Sequence, residues 1–138
     1  MDDRQYKDTQ AIEQLLSSFA WHADRGEGEM LSQLFLPDGV LFVGGQEHRG
    51  RKPIADDCCL RAAAPQRKTR HVWSNLRIVS ADENHMVTTA IQLTYEQPGA
   101  DQPTQLRIND MFDEFAKDAD GAWRFSQRTI RRELALTL

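Results

Sequence analysis

The sequence predicts an α+β fold: a strongly curved antiparallel sheet shaped as a cone, with N-terminal helices closing a central cavity. Three observations predict it. Helical apolar spacing is confined to the first half of the chain. Four long strand-like segments follow one another in the second half. Turn-rich loops separate those segments, as an antiparallel meander requires.

The first helix can be capped by Asp8 or Thr9. Ile12, Leu15, Leu16, Phe19, Ala20 and Ala23 then recur at helical spacing and form one apolar stripe. Trp21 falls opposite the stripe and faces solvent, a second helix or a partner subunit. Arg25-Gly26 ends the helix, with Gly26 free to take the left-handed conformation of a C-terminal cap. A short second helix turns Met30, Leu31, Leu34 and Phe35 inward, and Pro37-Asp38-Gly39 is a turn signal. A strand at 40–43 is turned back by Gly44-Gly45. Pro53 suits the first turn of a third helix, 53–64, whose inward face is Ile54, Cys58 and Ala62. Strands are predicted at 70–79, 86–96, 105–115 and 122–132. A curved sheet closed by helices leaves a conical cavity suited to a small ligand.

The chain has 138 residues, which fits a single domain over 1–138. Charged residues make up 28% and hydrophobic residues 40%, the balance of a globular chain. A net charge of −4 with only local basic clusters argues against a nucleic-acid partner. No apolar run reaches the roughly 18 residues of a membrane span. No apolar segment follows a basic start, so no signal peptide is expected and the cytoplasm is the simplest location. Cys58 and Cys59 are adjacent and unsuited to pairing with each other, and the four histidines lack metal-ligand spacing, so neither a disulfide framework nor a metal site is expected.

Several stretches carry a family resemblance when taken together. Ala20-Trp21-His22-Ala23-Asp24 ends the first helix, and Leu34-Phe35-Leu36-Pro37-Asp38-Gly39 follows. Gly50 and Ile54 introduce the third helix. Thr69-Arg70-His71-Val72-Trp73-Ser74-Asn75 opens the first long strand, and Asp113-Glu114-Phe115 with 121–128 completes the set. In this order they resemble the SnoaL-like, nuclear-transport-factor-2-like superfamily over nearly the whole chain. The helix-end Asp with the Arg-His…Asn strand resembles the branch containing scytalone dehydratase and hexachlorocyclohexane dehydrochlorinase.

The resemblance implies the cone fold and cofactor-free elimination or isomerisation by an Asp–His dyad that removes a proton from carbon. Carried over, the dyad is Asp24 and His71, and an Arg on the last strand of some relatives matches Arg128. Ala23 and Phe42 stand where scytalone dehydratase carries tyrosines, so the resemblance reaches the dyad and not scytalone as substrate. The superfamily also holds polyketide cyclases, ketosteroid-isomerase relatives and non-catalytic β-subunits of ring-hydroxylating dioxygenases. A ligand-binding or assembly subunit therefore stays open beside the enzyme.

The residues bear on this independently. Alternation places His71, Trp73 and Asn75 on one strand face, with Val72, Ser74, Leu76 and Ile78 on the other. An imidazole accepts a proton near neutrality. On spacing alone, a buried histidine satisfied by a carbonyl is the simpler reading; the resemblance favours a pocket. Asp24 stands at the negative end of a helix dipole and needs another reason to be there. Orienting His71 is one, pairing with Arg25 another. Phe42, Trp73, Asn75 and Phe112 are candidate substrate contacts. Arg128 either lines the cavity or pairs with Asp110 or Asp113; strict alternation puts it opposite Trp123 unless a bulge intervenes. The expected ligand is small and apolar or aromatic. The expected assembly is a homodimer or higher oligomer through an outer sheet face bearing Leu76, Ile78, Ile91 and Leu93.

Overall fold

The computed structural model describes residues 2–138 and runs α1 (Asp3–Arg25), α2 (Gly28–Ser32), β1 (Phe35–Val43), β2 (Gln46–Arg49), α3 (Arg51–Ala62), β3 (Lys68–Ala81), β4 (His85–Gln97), β5 (Gln105–Lys117) and β6 (Trp123–Thr137). The helix α1 starts earlier than predicted. Asp2 caps it: its carboxylate accepts from the Gln5 amide while the Gln5 side chain accepts from the Asp2 amide, both at 2.9 Å. Asp8 is instead buried within the helix, where it accepts from the Trp123 indole at 3.0 Å. The far end is as predicted, with Gly26 left-handed at φ 67°. Its missing side chain also matters, because a Cβ there would lie 2.5 Å from the Ala62 Cβ.

Six strands form one curved, unclosed sheet in the order β2-β1-β6-β5-β4-β3. All pairings are antiparallel except β1 with β6, which run parallel. The concave face holds the core. Ile12, Leu15, Leu16 and Phe19 of α1 pack with Leu31, Ile54, Met111, Phe115 and Phe125. Phe35 stacks on Phe125 at 4.9 Å, and the Phe19 edge meets Phe125 at 6.0 Å. Each such ring contributes about 1.5–3 kcal/mol by burial.

Four local expectations are corrected. Phe35 belongs to β1 and Met30 is exposed, because α2 is only one turn long. Pro37-Asp38-Gly39 lies within β1 as an irregularity, where the register with β6 shifts between Phe35 and Val40. Ala62 is exposed at the end of α3. The alternation of β3 breaks at Asn75, which is left-handed at φ 59°, and the register with β4 shifts between Ser74 and Arg77. Leu76 and Ile78 consequently pack against the core and not on the outer face. Among the described residues no helix is long and apolar enough to cross a membrane.

Candidate active site

A cavity of about 640 Å³ opens between the helices and the concave sheet face. Phe19, Leu31, Leu41, Phe42, Ile54 and Ile130 supply its apolar wall, and Thr69, His71, Gln92, Thr94 and Asn109 are polar groups on it.

Asp24 and His71, 47 positions apart, meet at this wall. The His71 ring Nδ1 lies 2.5 Å from Asp24 Oδ1. The His71 backbone amide donates to Asp24 Oδ2 at 3.0 Å, and the Thr69 hydroxyl donates to Oδ1 at 2.9 Å. Burial works against ionisation of Asp24, but the hydrogen bonds from His71 and Thr69 outweigh it and hold the carboxyl below its ordinary value. An ionised carboxylate only accepts, so Nδ1 carries the proton and Nε2 is left as the basic nitrogen. His71 lines the cavity, whereas Asp24 stands behind the imidazole beside a shallower groove along α1.

The other predicted contacts divide. Phe42 lines the cavity. Trp73 packs on α1, its indole donating to Ser17 at 2.9 Å, and borders the outer groove and not the main cavity. Asn75 is exposed at the β3 bulge. Phe112 is on the convex face, with the Arg131 guanidinium 4.8 Å from its ring centroid. Two of these corrections come from strand parity, which a bulge reverses for Asn75 and which places Phe112 opposite buried Met111 and Asp113, whereas Trp73 keeps its predicted face and is drawn from the cavity by its contact with α1.

Arg128 is also corrected. A bulge in β6, where the register with β5 shifts between Glu114 and Phe115, turns it to the concave face. There it is buried beneath Phe19, 4.2 Å from that ring's centroid, and beside Phe125, and it does not line the cavity. Its Nε lies 3.3 Å from Asp113 Oδ1, and a guanidinium nitrogen contacts the Met111 sulfur. Of the two partners weighed from sequence, Asp113 is the one it meets at the site.

Gln92, Thr94, Arg107, Asn109 and Arg132 reach the cavity without having been singled out. The parity of β4 carried the signal for two of them: if Ile91 and Leu93 face out, Gln92 and Thr94 face in. Cys58 also lines the cavity, but burial pushes its thiol up to about 11, so it stays protonated and a poor nucleophile.

An open cone of mostly antiparallel sheet, closed by helices over a cavity with an imidazole–carboxylate pair in its wall, defines the class as a nuclear-transport-factor-2-like α+β cone. The chain belongs to the SnoaL-like domain family, whose sequence profile matches residues 4–129. Its fold is shared with a provisionally assigned scytalone dehydratase from Novosphingobium aromaticivorans, at TM-score 0.87 and 23% identity, covering 100% of this chain and 92% of that one. It is shared with a type 2 hexachlorocyclohexane dehydrochlorinase, LinA, at TM-score 0.85 and 19% identity, covering 100% and 93%. A provisionally assigned aromatic ring hydroxylase from Novosphingobium aromaticivorans is similar at TM-score 0.83 and 17% identity, covering 96% and 94%. At these identities the likeness is one of fold. No curated protein matches the chain in sequence.

Proposed function

We propose that the protein is a cofactor-independent lyase, of dehydratase or dehydrohalogenase type, or an isomerase, acting on a small cyclic or aromatic substrate. The contact between His71 Nδ1 and Asp24, at the wall of a cavity large enough for such a molecule, carries this reading. His71 Nε2 takes a proton from a substrate carbon. The electron pair of that C–H bond forms the new double bond, and the leaving group departs with its own bonding pair. A halide leaves as the anion; a hydroxyl leaves as water when the imidazolium returns the proton to it. The substrate supplies both electron pairs, so the step needs no redox partner. Asp24 fixes the tautomer and stabilises the imidazolium, the part an acid plays behind a histidine base. Thr94, Gln92 and Asn109 offer hydrogen bonds to the departing group in the place that Arg128 does not reach.

The test is a panel of small cyclic alcohols and halides followed by ultraviolet absorbance of the conjugated product. His71→Ala is expected to lower turnover by about 10²–10⁴-fold while the circular dichroism spectrum is unchanged. Turnover that survives the substitution places the base elsewhere. Ligand binding without turnover in the unaltered protein favours the non-catalytic cone. We further propose that the chain self-associates through its convex sheet face.

A further inference from the structure

Proton abstraction by His71 leaves much of the cavity's charge without a task. Five arginines contribute to its lining, Arg61, Arg67, Arg107, Arg131 and Arg132, against one acidic residue, Asp57, although the Arg131 guanidinium itself lies over Phe112 on the convex face. Two of them are matched: Arg61 pairs with Asp57 at 2.9 Å and Arg131 with Glu133 at 2.7 Å. Arg67 and Arg107 share the single carboxylate of Glu96, which leaves one positive charge over. Arg132 has no ion-pair or hydrogen-bond partner among the described residues. A chain of net charge −4 thus places two uncompensated cations on one cavity wall.

The sheet register locates that charge relative to the base. Thr94 stands opposite His71 on β4, and Arg107 stands opposite Thr94 on β5. One step along, Gln92, Asn109 and Arg132 form the neighbouring row, with the Asn109 amide donating to Gln92 at 3.3 Å. Neighbouring strands are about 4.8 Å apart, so Arg107 stands about 10 Å across the sheet from His71. Guanidinium groups present a planar fork that matches a carboxylate, and the partial burial of Arg107 strengthens its share of the pairing, while Arg132 is exposed at the cavity's rim. The shared Glu96 fixes Arg107 in place before any ligand arrives. The opposite side of the cavity is apolar, at Leu31, Leu41 and Ile54.

We infer that the cavity takes an amphipathic organic anion, with an apolar ring system against the helices and a carboxylate held between Arg107 and Arg132, two and three strands from His71. This deepens the reading above and rests on it for the reacting end of the ligand. The experiment is calorimetric titration of 2-naphthoate and of its neutral counterpart 2-naphthamide into the unaltered protein, Arg132→Gln and His71→Ala. The unaltered protein is expected to prefer the carboxylate by about tenfold or more, and Arg132→Gln to reduce that preference to under about threefold. The melting temperature of Arg132→Gln should not move, since Arg132 has no partner to lose. His71→Ala should keep the preference. Equal binding of the two probes by the unaltered protein overturns the inference, as does binding of neither, or a preference that survives in Arg132→Gln. Failure of the dyad reading shows itself separately, as turnover unaffected by His71→Ala.

Discussion

A carboxylate in the last turn of a helix faces the negative end of the helix dipole, so Asp24 must be held by something stronger. Three donors hold it: the ring and amide of His71 and the Thr69 hydroxyl. The consequence is a defined tautomer. In the neutral ring the proton is expected on Nδ1, and Asp24→Asn, which can turn its NH₂ toward the imidazole, should move it to Nε2. Nitrogen-15 NMR of the His71 ring reads this directly; a ring that keeps its Nδ1 proton in Asp24→Asn contradicts the role given to Asp24. The buried pair Asp113–Arg128 behaves in the opposite sense. Burial pushes Asp113 up to about 6 in spite of Arg128, and neither carboxyl oxygen has a hydrogen-bond partner among the described residues. Between its unfolded value of 3.8 and about 6, the folded protein holds a proton that the unfolded chain has released. Stability contributed by this group is therefore full below that window and lost as pH rises through it, by roughly 1–3 kcal/mol. Urea unfolding at pH 4.5, 5.5 and 7 should show this slope, and Asp113→Asn should flatten it relative to the unaltered protein.

At the level of elements, two bulges decide which side chains meet. In β3 the inward set is Thr69, His71 and Trp73 before the irregularity and Leu76 and Ile78 after it. Asn75 carries the left-handed residue that makes the change. Asn75→Gly should hold stability within about 0.5 kcal/mol, whereas Asn75→Val, which suffers in the left-handed region, should lose about 1–2 kcal/mol. Denaturant midpoints at unchanged slope measure both; an unaffected valine variant would mean that the backbone there is not under that constraint. The same feature explains what sequence reading could and could not recover. The stripe from Ile12 to Phe19 was legible because a helix repeats without interruption. The parity of β3 was legible only as far as Ser74, and that of β6 only as far as its bulge near Ser126, since a single extra residue reverses every later side chain. Strict alternation misplaces Asn75 for that reason, and it leaves the face of Arg128 open until the β6 bulge is known. Phe35 was misassigned because a short apolar run fits either a helix or a strand. Asp24 and His71 each stand out locally, but a separation of 47 positions hides their contact from any local pattern. Family resemblance joined them, not periodicity.

For the molecule as a whole, the convex face of the sheet poses a solvation problem. Register places Val72, Leu93, Ile108 and Leu134 in one row across β3, β4, β5 and β6. Tyr95, Leu106 and Leu136 form the next row. Val72 is 49% exposed, Leu134 58% and Leu136 52%, so the patch is open to water in a single chain. These residues are contiguous, and α1 and α3 lie against the other face and cannot cover them. Contiguous apolar surface of this kind is rare on monomers and marks an interface. The expected assembly buries the two rows against another copy, as a dimer or a higher ring. Burial at the centre of such a patch is worth most, so Ile108→Lys should dissociate the assembly while the cavity on the opposite face keeps its ligand affinity. Sedimentation velocity at about 10 μM, well below the dissociation constant expected of a weak crystal-type contact, measures the outcome. A monomer in the unaltered protein at that concentration refutes the interface. An oligomer that Ile108→Lys leaves intact moves the interface off this face.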